Sequence, residues 1–384
     1  MGIRFKKPEP GAGWRSSWRA KLAEDPRGHD RRVREAFLLI LRRVEACNAN
    51  ILPNTGRDGT ERYVTPVLNV AQLWPRWQRA ACSWSPQATA PREQFCELAS
   101  HLLASYPVPR FMYSVFEEPG HGCYREWFAH VGAGWSIRTA PGMTAALTSR
   151  MAHYLMQAPD SYGVVGAVRW GQVLGLGGKP PLAKAVIETS LGRQLDVAVE
   201  ERFWLTYLQW LVNNPELPRN QVGPLVDFLA ARRRREPEFS LKGRTPSSVR
   251  QLMEEWHREL RRAPGIGFCP LPRSGFAPRW VWVDGRGNVW TVEEIADTFA
   301  LREEGEAMHH CVFSYASAAL AGQCSLWSMK VERLGQRERA LTFEVRNATK
   351  KVVQARGLQN RMPTSEEQLV LARWTHENGL RLGI

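Results

Sequence analysis

Ala263-Pro264-Gly265-Ile266-Gly267-Phe268-Cys269-Pro270-Leu271-Pro272 is the stretch on which the reading of the whole chain turns. Half of its residues are Pro or Gly. Proline lacks the amide hydrogen that helices and ladders both need, and glycine raises the entropy lost on ordering, so neither element runs easily through it. It therefore reads as a boundary between domains. Before it, apolar residues recur every three or four positions; after it, short apolar runs are separated by polar turns.

After the boundary, residues 280–283 and 289–292 are aromatic and β-branched and flank Asp284-Gly285-Arg286-Gly287-Asn288, which predicts a hairpin. Thr291 and Glu294 have capping-box spacing and predict a short helix to about Leu301. A second helix is expected over 309–320. Three extended runs, 325–331, 340–345 and 352–355, are the pattern of an antiparallel meander, and a last helix after Pro363 carries Leu369, Leu371 and Trp374. Residues 265–384 thus predict an α+β domain with a small antiparallel sheet.

Before the boundary, Asp30 is a good N-cap for a helix to Cys47, with Val33, Phe37, Ile40, Leu41 and Val44 on one face. A loop is expected over 48–62. Pro91 suits a first helical turn, ahead of Phe95, Leu98, Leu102 and Leu103, and Leu147, Met151, Tyr154 and Leu155 mark a third helix. Further helical stretches cover 162–174, 182–191, 196–212, 222–234 and 247–262. Residues 29–264 therefore predict a mainly α, basic region, and residues 1–28, rich in Gly, Pro and charge, a poorly ordered basic arm.

The length of 384 residues and 43% hydrophobic content suit two soluble domains. No run reaches the roughly 18 apolar residues of a membrane span, the opening residues lack the apolar core of a signal peptide, and Lys6 stands where N-myristoylation needs Ser or Thr. Seven cysteines without a CxxC unit predict a reduced, cytoplasmic protein without a disulfide framework or membrane partner.

Lys and Arg number 52 against 38 Asp and Glu, a net charge of +14. The surplus is +12 before Gly265 and +2 from there on. Such a balance predicts a nucleic-acid partner, DNA or RNA, on the N-terminal region, although it also serves solubility. Arg76 and Arg79, interleaved with Trp74, Trp77 and Trp84, fit a surface that stacks single-stranded bases, while the indoles equally suit a helical core. Arg232, Arg233, Arg234 and Arg235, with Lys242, Arg244 and Arg250 nearby, are candidate phosphate contacts, or a solvated helix end that complements the dipole.

Met308-His309-His310-Cys311, followed by Ser314 and Tyr315, concentrates groups that move protons or attack carbonyl and phosphoryl centres. A helix start there would favour a thiolate at Cys311 and set Tyr315 one turn away. The plain alternative is a buried cysteine beside histidines bonded to backbone. Adjacent helical residues point about 100° apart, so His309, His310 and Cys311 do not converge on one tetrahedral zinc, and neither HExxH nor CxxC is present. No metal is expected. Leu174-Gly175-Leu176-Gly177-Gly178-Lys179-Pro180 fails as a phosphate loop, with Val173 at the first glycine position and Pro180 at the Ser/Thr position, and no cofactor is expected either.

EGEAMHHCVFSYA at 304–316, SLWSM at 325–329, ALTFEV at 340–345 and VVQARGLQNRMP at 352–363 together resemble the PcfJ-like proteins encoded on conjugative plasmids and other mobile elements. The helical region is similar to the long form of that family through VPRFM at 108–112, GAGWSIR at 132–138 and RMAHYLMQAPD at 150–160. The family brings no settled activity. The resemblance puts weight on His309, His310, Cys311, Val312 and Tyr315, and on Gln354, Arg356, Gly357 and Asn360. It implies a polar site in which His309, His310, Cys311, Tyr315 and Arg356 act on a substrate held by Gln354 and Asn360.

The function expected is that of a mobile-element accessory protein that binds nucleic acid through its basic helical region and carries this site in its C-terminal domain. One alternative is a metal-independent enzyme, nuclease-like or acting on another phosphate-containing substrate, in which Arg356 stabilises developing negative charge and a histidine moves the proton. Another is an adaptor with protein partners in a conjugation, phage or defence assembly.

Overall fold

Asp30 starts the first helix as its position predicts: its carboxylate accepts the amide hydrogens of Arg32 and Val33 at the head of α1 (Arg31–Ala46). The computed structural model describes residues 22, 25–47, 49, 51, 64–117, 122–262, 267–308 and 312–383. Most of the expected arm and of the 48–62 loop, and His309, His310 and Cys311, lie outside the described residues. The expected face of α1, from Val33 to Val44, is buried.

The helices that follow are α2 (Val64–Gln72), α3 (Pro91–Leu103), α4 (Ser114–Glu117), α5 (Gly122–Gly132), α6 (Ser149–Met156), α7 (Gly163–Gly175), α8 (Pro180–Ile187) and α9 (Ala198–Asn213). The sequence expectation contains neither α2 nor α5. Both are buried around most of their circumference, so neither leaves the one-sided stripe by which a surface helix is recognised. α7 and α9 are joined by a sealed ion pair: two nitrogens of Arg169 each donate to Glu201 at 2.7 Å, and both side chains are fully buried. Arg169 also donates to the Gln172 side-chain oxygen at 3.0 Å, and Glu201 also accepts the Asp196 amide hydrogen at 2.8 Å.

Two compact units make up the chain, one of residues up to 183 with 192–212, the other of 184–191 with 213–384. The expected boundary at 263–272 falls inside the second. That unit contains α10 (Val222–Arg235) and α11 (Pro246–Arg262), then β1 (Arg279–Val283), β2 (Val289–Glu294), α12 (Thr298–Ala307), a 3-10 turn at Val312–Tyr315 leading into α13 (Ala316–Leu320), β3 (Cys324–Arg333), β4 (Gln336–Arg346), β5 (Lys351–Arg356), α14 (Ser365–Glu377) and β6 (Arg381–Leu382). The strands form one sheet in sequence order.

The α+β architecture and the meander stand, with two corrections of detail. The sheet is mixed, because β6 returns from α14 to pair parallel with β5. Thr291 and Glu294 lie in β2, where β-branched and aromatic neighbours outweigh the capping pattern; Asp297 caps α12 instead, accepting from Phe299 and Ala300. On α14 the buried apolar residues are Val370, Leu371 and Trp374, and Leu369 is 73% exposed.

Alternation gives the sheet two different faces. Trp327, Met329, Leu341, Phe343 and Val345 pack with Leu371 and Trp374 of α14, with Trp374 ring centroids 4.9 Å from Trp327 and 5.0 Å from Phe343. Each such buried side chain is worth on the order of 1.5–3 kcal/mol of transfer free energy. On the opposite face the register aligns Leu326, Glu344 and Gln354 in one row and Ser328, Thr342 and Arg356 in the next. α12 and the 312–320 segment pack there around Leu326 and Cys324.

A candidate polar cleft in the second unit

The polar rows end at a cleft lined by Tyr315, Thr342, Glu344, Gln354, Arg356 and Asn360 together with the apolar Val312, Leu326 and Phe343, and with Asp227 of α10. Four residues singled out in the sequence, Tyr315, Gln354, Arg356 and Asn360, are thus brought together. His309, His310 and Cys311 lie outside the described residues. The 3-10 turn presents Tyr315, whose hydroxyl donates to Gln354 Oε1 at 2.8 Å. Asn360 is held at φ +60°, a left-handed conformation that asparagine tolerates better than most residues.

Arg356 is 8% exposed, and its two terminal nitrogens donate to the carbonyl of Glu188 and the sulfur of Met362. Two carboxylates that the sequence analysis did not single out lie on the same face. Glu344, buried in β4, is paired with Arg346 at 2.8 Å; Glu304 of α12 accepts from Thr342 Oγ1 at 2.6 Å and from Arg339 Nε at 3.0 Å. Thr342 and Glu344 were legible as the polar positions of an otherwise apolar strand, whereas Asp227 carries no sequence signal because it arrives from a distant helix. Burial, with the Glu344 carboxylate nearby, pushes the Cys324 thiol up to about 11. This face therefore favours groups that stay neutral or are paired.

The cleft encloses about 30 Å³, the space of a water or two and far below the roughly 300–1,000 Å³ of small-molecule pockets. In this conformation it has room only for a small group or the edge of a larger one. Among the described residues, no three His, Cys, Asp or Glu side chains gather as a metal site would require.

The candidate nucleic-acid contacts divide. Arg76 pairs with Glu126 at 3.2 Å, and Arg79 donates to the carbonyls of His101 and Ala104 at the end of α3. Trp84 is buried, while Trp74 and Trp77 are half-buried against the core. Arg232 pairs with Glu236 and, like Arg244, lies over the buried ring of Phe239, at 5.6 and 5.0 Å from its centroid. Arg233 is half-buried. Arg234, Arg235 and Lys242 are exposed and form no ion pair among the described residues.

A mixed sheet closed on one face by a single long helix, with a polar cleft on the other, defines an α+β domain. Residues 286–371 match the family model of the PcfJ-like proteins, so the chain carries a PcfJ-like domain in its second unit. The resembling segments at 108–160 fall outside that match. Comparison with curated proteins and with solved structures gave no match. No helix among the described residues is long and apolar enough to cross a membrane.

Proposed function

We propose that the protein is an accessory protein of a mobile genetic element that binds nucleic acid through cationic side chains of its helices, with the polar cleft as the working site of its PcfJ-like domain. The observation that carries this reading is the group of exposed cations Arg234, Arg235 and Lys242 at the end of α10 and in the loop after it, in a chain of net charge +14. Cations already paired with carboxylates gain little from a phosphate; unpaired ones release the counterions of the nucleic acid and so drive binding. Titrating the full chain against labelled DNA and RNA over a range of salt tests it: affinity falls steeply with salt if the reading holds, and an absence of binding at low salt overturns it.

The cleft favours a second reading, an enzyme that acts on a phosphate-containing substrate. The Tyr315 phenol, the Arg356 guanidinium and the Gln354 and Asn360 amides face one small space, where a guanidinium can stabilise developing negative charge and His309 or His310 would move the proton. Product formation from labelled DNA or RNA, lost in Tyr315→Phe with the melting temperature kept, supports it. Wild-type protein that leaves these substrates intact sinks the nuclease form.

A further inference from the structure

Gly132-Ala133-Gly134-Trp135, which the reading above leaves unused, builds an aromatic groove in the first unit. The carbonyl of Gly132, at the end of α5, accepts the amides of Ser105 at 2.7 Å and Tyr106 at 3.0 Å. A Cβ at position 132 would lie 2.6 Å from the carbonyl oxygen of Leu103. Gly134 has φ +90°, and a Cβ there would meet the Tyr106 ring at 2.7 Å. Glycine at both places therefore lets 105–106 close on the helix end, with the Tyr106 ring against Gly134, the residue before Trp135. Tyr106 and Trp135 are 60% and 66% exposed, a large apolar surface left to water.

The His130 ring stacks on Trp135 with centroids 6.3 Å apart, and its Nε2 lies 3.1 Å from both the Ser136 carbonyl and the Thr139 hydroxyl, which fixes its plane. Beside this stack, Trp77, Pro75 and Pro141 complete a groove of about 250 Å³. The Arg76–Glu126 pair sits on its wall and nearly cancels its own charge. Arg79 and Arg138, close by in sequence, bond only neutral partners among the described residues, backbone carbonyls and the Ser149 hydroxyl, so each keeps its full positive charge.

We infer that this groove stacks an unpaired nucleobase, making the first unit a site for single-stranded nucleic acid. Every base offers a π-face to an aromatic platform, and rings already held in place lose little entropy on stacking. The neutral wall suits a base, and the guanidiniums of Arg79 and Arg138, uncompensated by a carboxylate among the described residues, suit the phosphates of the strand that carries it. A base in a duplex is already stacked and cannot enter. The inference rests on the nucleic-acid reading above and gives it a place and a strand preference.

The test uses the full chain with a labelled single-stranded oligonucleotide and a duplex of equal length. Trp135→Ala is expected to weaken single-strand binding about tenfold, to leave duplex binding and the salt dependence unchanged, and to melt like the parent because Trp135 is mostly exposed; Trp135→Phe keeps most of the affinity. Unchanged single-strand binding by Trp135→Ala overturns the groove while the nucleic-acid reading stands. Wild-type protein that binds neither strand form overturns both. A proline-rich peptide bound by the parent and lost in Trp135→Ala, with oligonucleotide binding untouched, gives the groove to a protein partner and also overturns the inference.

Discussion

Arginine is put to opposite uses in two regions of this molecule. Between α7 and α9, Arg169 is fully buried and its charge is consumed by Glu201; at the end of α10, Arg234 and Arg235 stand in water without an ion pair among the described residues. Net charge counts these side chains equally, yet only the second kind is available to a polyanion. The same lesson applies to where the charge lies. Counted by compact unit, the surplus is +8 in the first and +6 in the second, a near balance that arises because α10 and α11 belong to the second. A count divided at residue 265 assigns almost all of it to the N-terminal side.

The largest effect is expected at the buried pair. Arg169→Met leaves the Glu201 carboxylate sealed without its partner and is expected to cost about 3–5 kcal/mol, read as a lower denaturation midpoint. A loss below about 1 kcal/mol would show that water reaches the pair. Next is Arg356, buried but bonded to a carbonyl and a sulfur. Arg356→Ala leaves the Glu188 carbonyl with one partner fewer and is expected to cost about 1–3 kcal/mol in chemical denaturation. An effect no larger than that of a surface substitution would free Arg356 for a ligand.

Arg361 lies between the extremes, 40% exposed and paired with the buried Glu367. Burial pushes the Glu367 carboxyl up, but Arg361 and the Thr364 amide outweigh it and hold the carboxyl below its ordinary value. A carboxyl whose folded pKa is depressed stabilises the fold fully above its unfolded pKa of about 4.3, and that contribution disappears as pH falls through the lower folded value. Glu367→Gln is therefore expected to lower stability at pH 7 by about 1 kcal/mol, mostly from the weakened cap and pair, and to flatten the loss of stability below pH 4. Parallel acid limbs for parent and variant would contradict that assignment.

What was legible follows the same physics. α1 and α3 announced themselves because one face is apolar and the other is not, and β3, β4 and β5 because the pleat alternates. α2 and α5, buried around most of their circumference, left no one-sided period to read, and β6 is two residues whose pairing only the return of α14 creates. Resemblance to a family drew attention to Tyr315, Gln354, Arg356 and Asn360, and the register of β4 and β5 shows how the strand residues among them share a face. Glu304 and Asp227 became visible only in three dimensions. Residue identity could not separate Arg76, paired with Glu126, from Arg234, which forms no ion pair among the described residues.

The most direct measurement is the slope of log affinity against log salt for the full chain and for Arg234→Ala/Arg235→Ala, on one duplex. If these side chains meet phosphates, the double substitution leaves stability within about 0.5 kcal/mol and makes the slope shallower by about 1.8, roughly 0.9 per lost contact. An identical slope in parent and variant would contradict the account and leave the end of α10 an ordinary solvated surface.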